Sequence, residues 1–171
     1  MLKKIQKYFL RKLTDKNLKN RDISKLNESL KTLGFLVDED LFNDFEKLYA
    51  VSEKMGLQRK DVRIFTFMRV RKKLPSLRQN QINNKHFTWK GEIHNQNANE
   101  FLGVKFDVLV GYYNGKNEFL DLMMSASKAK FKVGFSDTDD RLSDLLINVN
   151  PLNINQFSQE LIKYLKVLNK I

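Results

Sequence analysis

Residues 106–135 read FDVLVGYYNGKNEFLDLMMSASKAKFKVGF. An apolar run (Phe106–Tyr112) is followed by a short polar turn, an apolar stretch of helical character (Glu118 to about Lys128) and a second apolar run (Lys130–Phe135). Strand, turn, helix, strand is the form of a parallel βαβ unit, and such folds bind ligands at the turn after the first strand. Here that turn is Asn114-Gly115-Lys116-Asn117. It carries one glycine and no phosphate-cradling pattern, so the unit announces a scaffold more clearly than a site.

Working outward, the same alternation continues on both sides. Thr32–Val37 reads as a core strand and Leu41–Met55 as a helix, with Leu41, Phe45, Leu48 and Val51 at helical spacing and Gly56 as its C-terminal cap. Asp61–Val70 reads as a strand buried on both faces and wet at its Arg-bearing ends. Residues 71–85, with Pro75 and few apolar side chains, read as a long surface loop. Phe87-Thr88-Trp89 is a short strand or packed loop broken by Gly91, and Ala98–Leu102 a helical turn. Leu145–Val149 is a last strand and Asn153–Lys170 an amphipathic helix. The order predicts a single Rossmann-like α/β domain over 32–171, with a mostly parallel sheet and helices on both faces.

Ahead of it, residues 1–31 form a basic helical extension. Leu2, Ile5, Phe9 and Leu13 share one helical face, widened by Leu10, while Lys3, Lys4, Lys7 and Arg11 lie opposite. Such a helix covers its own domain's core, lies on an anionic membrane or packs on RNA. Ile23, Leu26 and Leu30 suggest a second short helix with Asp22 as its N-cap.

Composition narrows the function classes. The chain of 171 residues has no cysteine, which excludes a disulfide scaffold and any thiolate site and suits a reducing cytoplasm. No apolar run approaches the ~20 residues that span a bilayer, and the N-terminus lacks a secretory pattern. The net charge of +11 points to polyanionic partners. His86 and His94, eight apart, do not make a metal-ligand spacing, and neither has a nucleophile beside it. Asp107 opens a strand and reads as a polar boundary; Asp137, Asp139 and Asp140 read as a capped, solvated turn rather than a Mg²⁺ site. No catalytic set, metal or cofactor is expected.

Two resemblances accompany this reading. Phe106–Val110, the helix with Ser125, Ala126 and Ala129, and Lys130–Phe135 resemble the N-terminal Rossmann-like domain of heptosyltransferases. The family's acidic residue after the strand is replaced by Gly111-Tyr112-Tyr113, and the chain has no room for the donor domain, so the resemblance implies at most a half-domain that holds a phosphorylated sugar. The chain as a whole resembles a family of small basic bacterial proteins of unknown function.

The densest cationic region is Arg69, Arg71, Lys72, Lys73 and Arg78, followed by neutral hydrogen-bonding side chains and by Phe87 and Trp89. Cations on an irregular segment with aromatic rings nearby are what phosphate contact and base stacking require. With Lys3, Lys4, Lys7 and Arg11 of the N-terminal helix they form the expected nucleic-acid-binding set. The function read from sequence is therefore a non-enzymatic, cytoplasmic protein associated with RNA or the ribosome. The alternatives are a membrane-surface or protein interaction module anchored by the N-terminal helix, and the phosphosugar half-domain.

Overall fold

A computed structural model describes residues 1–73 and 78–171. Eleven elements carry the architecture: α1 (Leu2–Lys19), β1 (Leu33–Asp38), α2 (Phe45–Lys54), β2 (Val62–Met68), β3 (Gln81–Asn83), α3 (Gln96–Gly103), β4 (Val108–Tyr112), α4 (Glu118–Ala126), β5 (Phe131–Phe135), β6 (Leu145–Ile147) and α5 (Ile154–Val167). The six strands form one sheet in the order β3-β2-β1-β4-β5-β6, and every pairing is parallel. This is the strand order of doubly wound, Rossmann-like folds. The order reverses between β1 and β4, so their carboxyl ends frame the switch point at which such folds take ligands.

Alternation along the strands sorts the side chains into two cores. Leu33, Phe35 and Val37 of β1 with Val108, Val110 and Tyr112 of β4 pack under α2 and α5, against Leu48, Val51, Phe157 and Leu161. Leu36, Phe65, Phe67 and Leu109 face the other way, under α3, α4 and Leu10 of α1. Gly34 sits where the sheet meets the second layer: a β-carbon there would lie 2.9 Å from Leu109 Cδ1 and from the Phe106 ring.

The position of α1 follows from the composition of α4. The α4 sequence EFLDLMMSA is apolar on nearly all sides, and its first eight residues are buried. A helix of that kind needs cover on both faces. The sheet supplies one, and α1 lies over the other. At the amino ends of the strands, Asp107 ties the starts of β1, β4 and β5 together. Its Oδ2 accepts from the backbone N–H groups of Lys31 (3.0 Å) and Thr32 (2.9 Å), and its Oδ1 meets Lys130 Nζ at 2.7 Å.

The structure departs from the sequence reading in four places. Residues 71–85 are not one loop: Gln81–Asn83 pair with Thr66–Met68 as edge strand β3, too short to show a period, and Asn84–His86 form a 3-10 turn. Pro75 lies outside the described residues. Residues 20–32 hold turns rather than a second helix, and Asp22 Oδ1 accepts from Ser24 N (2.9 Å) in a local turn instead of capping one. Phe87–Trp89 contributes only a single antiparallel bridge, Phe87 to Ile93. Helix α2 begins at Phe45, four residues later than its apolar spacing suggested.

Candidate functional site

The first turn of α4 gathers three of the cations singled out by sequence. Asn117 caps this turn, its Oδ1 accepting from Phe119 N and Leu120 N at 3.2 Å each. Glu118 follows, buried to its carboxylate. Burial alone would raise its pKa, but its own backbone N–H together with Lys7 and Arg11 holds it below the usual value. Lys7 Nζ and Arg11 Nη2 each stand 3.4 Å from Glu118 Oε1. From the end of β2, the Arg69 guanidinium lies 5.4 Å over the Phe119 ring. Lys7 and Arg11 of α1 thus meet the distant Arg69 at one corner.

The remaining cations separate into two groups. Arg78 pairs through one guanidinium nitrogen with both carboxylate oxygens of Glu39, which also accepts from Gln81 Nε2 at 2.8 Å. Asp40, from the same acidic run after β1, accepts from Arg69 N at 3.4 Å. Acids therefore thread between Arg69 and Arg78, which dilutes the positive field of that edge. Lys3, Lys4, Arg71, Lys72 and Lys73 project into solvent.

The usual ligand crevice beside β4 is occupied by the protein's own rings. Tyr112 is buried and donates to Pro151 O, while Tyr113 donates to Asp121 Oδ1 at 2.8 Å. Burial pushes the Asp121 carboxyl up to about 6. Beside it a cavity of about 130 Å³ opens between α1, the Asn114–Asn117 turn and the 3-10 turn Asp140–Leu142. Four carboxylates (Asp15, Glu118, Asp121, Asp139) and three cations (Arg11, Lys116, Arg141) line it. That balance disfavours a sugar phosphate. Asp139 is itself engaged, accepting from Arg141 N (3.1 Å) and from the Arg141 side chain. His86 Nδ1 accepts from Asn83 N at 3.2 Å, and His94 stands 3.6 Å from Glu92 at the surface. Among the described residues, no three His, Asp or Glu side chains converge as metal ligands do.

The outer surface of α1 differs most from expectation. The buried seam of the helix runs through Gln6, Leu10, Thr14 and Asn17, with Leu13 half-buried beside it, and leaves Leu2 and Ile5 outside. Gln6 Nε2 donates to Phe87 O (3.3 Å) and Thr88 O (3.2 Å), and Asn17 Nδ2 donates to Ser125 Oγ (3.1 Å). Leu10 is fully buried, and Thr14 Oγ1 donates back to Leu10 O (2.9 Å). The chain at Gly91 (φ 88°) passes so close that a β-carbon there would lie 2.8 Å from Leu13 Cδ1. Each polar group of the seam finds a partner, so a partly polar stripe is buried at little cost. The amino-terminal part of the apolar stripe is left turned outward. Leu2 is 73% exposed, Ile5 38% and Tyr8 61%. Phe9 makes edge contacts with Tyr8 and Trp89, both at 5.4 Å, and Trp89 is 51% exposed. Lys3, Lys4, Lys12 and Lys90 are exposed too, and Lys90 Nζ lies 5.2 Å from the Trp89 ring centroid. The involvement of Tyr8 and Trp89 was not legible from spacing, because Trp89 reaches α1 only through the fold. The polar residues at 6, 14 and 17 were the available signal that the seam runs elsewhere.

Fold and surface together define a doubly wound α/β protein whose most distinctive exposed feature is a basic, apolar-tipped helix. The family model that matches, over residues 6–168, is described as a family of unknown function (DUF6913), and the chain belongs to that family. No curated protein and no solved structure matches it.

Proposed function

We propose that this protein is a binding module, not an enzyme, and that it docks on anionic lipid surfaces at the cytoplasmic face through the outer side of α1. The observation that carries this reading is the unburied stripe of Leu2, Ile5, Tyr8 and Trp89 set among lysines. Interfacial helices combine such an apolar face with flanking cations, and Tyr and Trp sit at headgroup depth. No helix among the described residues is long and apolar enough to cross a membrane, so attachment through α1 is peripheral. The test is co-sedimentation of the full chain with vesicles. Binding to phosphatidylserine-containing vesicles, but not to neutral ones, is expected, and it should weaken as salt rises.

A second reading, RNA or ribosome binding, is favoured by the exposed run Arg71, Lys72 and Lys73 with Lys3 and Lys4. Filter binding of RNA across a salt series separates the two. RNA binding that falls steeply with salt and survives Leu2→Glu would support this reading over membrane docking.

A further inference from the structure

At the amino end of β5 the fold encloses a second cavity, of about 190 Å³, between the end of α1 and the segment 125–130 that follows α4. Five of its lining residues are cations: Arg21, Lys25, Lys105, Lys128 and Lys130. One carboxylate, Asp22, faces them, and it is engaged by Ser24 N at 2.9 Å. We infer that this cavity is a binding site for a phosphate monoester.

The cations are held at different degrees of commitment. Arg21 clamps Asp144 through both terminal nitrogens, at 2.7 and 2.6 Å, which fixes its guanidinium at the wall; its Nε is buried and has no acceptor within the described fold. Lys130 is anchored by Glu28 and by Asp107. Lys25 reaches Glu28 only at 4.0 Å, and Lys105 and Lys128 are exposed at the rim. Two fixed cations at the wall and three adjustable ones at the rim suit an anion that enters from solvent. Neutral donors stand with them: Asn20, and Ser127, whose Oγ accepts from Ala129 N and keeps its own hydrogen to give. Lys132 lies behind this corner, its ammonium disfavoured first by burial and next by Arg21, with Asp144 opposing. α1 and α4 both end here and present carbonyl oxygens, so the anion must be held by side chains rather than by helix termini. A phosphoryl group, with oxygens in several directions, matches cations spread around a cavity better than a planar carboxylate does.

This inference stands independently of membrane docking, which uses the opposite end of α1. Its source is either a lipid headgroup or a soluble phosphate ester. The full chain is titrated with inorganic phosphate and followed by amide NMR, against chloride at matched ionic strength. Saturable shifts confined to residues around Asn20, Lys105 and Ser127–Lys130 are expected, weakened about tenfold or more in Lys105→Gln/Lys128→Gln. Both side chains are exposed, so the variant keeps the fold, and its melting curve verifies this. Shifts that do not saturate, spread over all lysines or persist unchanged in the variant overturn the site. Vesicles of phosphatidic acid and phosphatidylserine at equal charge then distinguish the sources. A phosphatidic acid preference lost in the variant assigns the headgroup; equal vesicle binding by both proteins assigns a soluble ester.

Discussion

Lys132 gives the most discriminating test of the folded interior. It lies on β5 between Phe131 and Val133, whose side chains enter the first core, so its own side chain points the other way, beneath α4. It is fully buried, and its Nζ donates to Met124 O in the last turn of α4. A helix carboxyl end favours a cation there, but burial, with Arg21 and Lys128 nearby, drives the pKa down from 10.5 to about 7, Asp144 opposing. In the unfolded chain the amine stays protonated up to its ordinary value. Between pH 7 and 10.5 the unfolded state therefore holds a proton that the native state has lost, and stability must rise with pH across that window. The slope is at most ~1.4 kcal/mol per pH unit, and the whole shift is on the order of 5 kcal/mol. The depressed lysine contributes stability that is complete above the unfolded pKa and is lost as pH falls through 7. Lys132→Met keeps the stem but removes the titration, at a cost of about 1–3 kcal/mol for the unpaired Met124 carbonyl. Urea unfolding at intervals from pH 6 to 9.5 should show a rising curve for the native protein and a shallower one for the variant, which gains on the parent as the pH falls from 9 to 6. Parallel curves would refute the account of a desolvated lysine.

Asp121 titrates with the opposite sign. Its pKa is raised to about 6, chiefly by burial, so its contribution is complete below pH ~4 and is lost as pH rises through 6; in urea unfolding extended down to pH ~3.5, Asp121→Asn should flatten the fall between pH ~4 and 6 by up to ~3 kcal/mol. Leu10→Ala, which opens the seam between α1 and α4, should cost about 2–5 kcal/mol in urea unfolding. Gly34→Ala should destabilise by about 1–3 kcal/mol, because its methyl meets Leu109 and Phe106 at 2.9 Å and the parallel register prevents the strands from separating. Glu118→Gln weakens two half-exposed ion pairs, worth no more than ~1 kcal/mol in global stability, but it should raise amide exchange in the first two turns of α1.

The scaffold was legible because its signals are local. Phe106–Phe135 carries its own strand, turn and helix chemistry, and β1, β2, β4 and β5 are long enough to show buried runs. Strand β3 was hidden because three residues show no period of their own, even though it pairs with the preceding strand at Thr66–Met68. The candidate surface was half legible. The basic character of α1 follows from its composition, but which face it buries depends on Gln6, Thr14 and Asn17 finding acceptors and donors on Phe87, Thr88, Leu10 and Ser125. Hydrophobic spacing gives a stripe of Leu2, Ile5, Phe9 and Leu13 widened by Leu10; the fold buries Leu10, half-buries Leu13 and turns the seam toward the hydrogen-bonded Gln6, Thr14 and Asn17. Pairings such as Arg11 with Glu118, or Arg78 with Glu39, link residues 107 and 39 apart, and no spacing rule reaches them.

The outward stripe of α1 is the centre of the functional account. Transferring Leu2 and Ile5, as exposed here, from water into an acyl boundary is worth about 2–3 kcal/mol, and each lysine near an anionic surface adds ~1 kcal/mol. Replacing both with glutamate removes the apolar term and adds repulsion, without touching the buried seam. The decisive measurement is vesicle co-sedimentation of the full chain and of Leu2→Glu/Ile5→Glu, with matching melting curves. The account predicts binding to phosphatidylserine-containing vesicles that weakens more than about thirtyfold in the variant. Equal binding by the two proteins, or none by either, would contradict it.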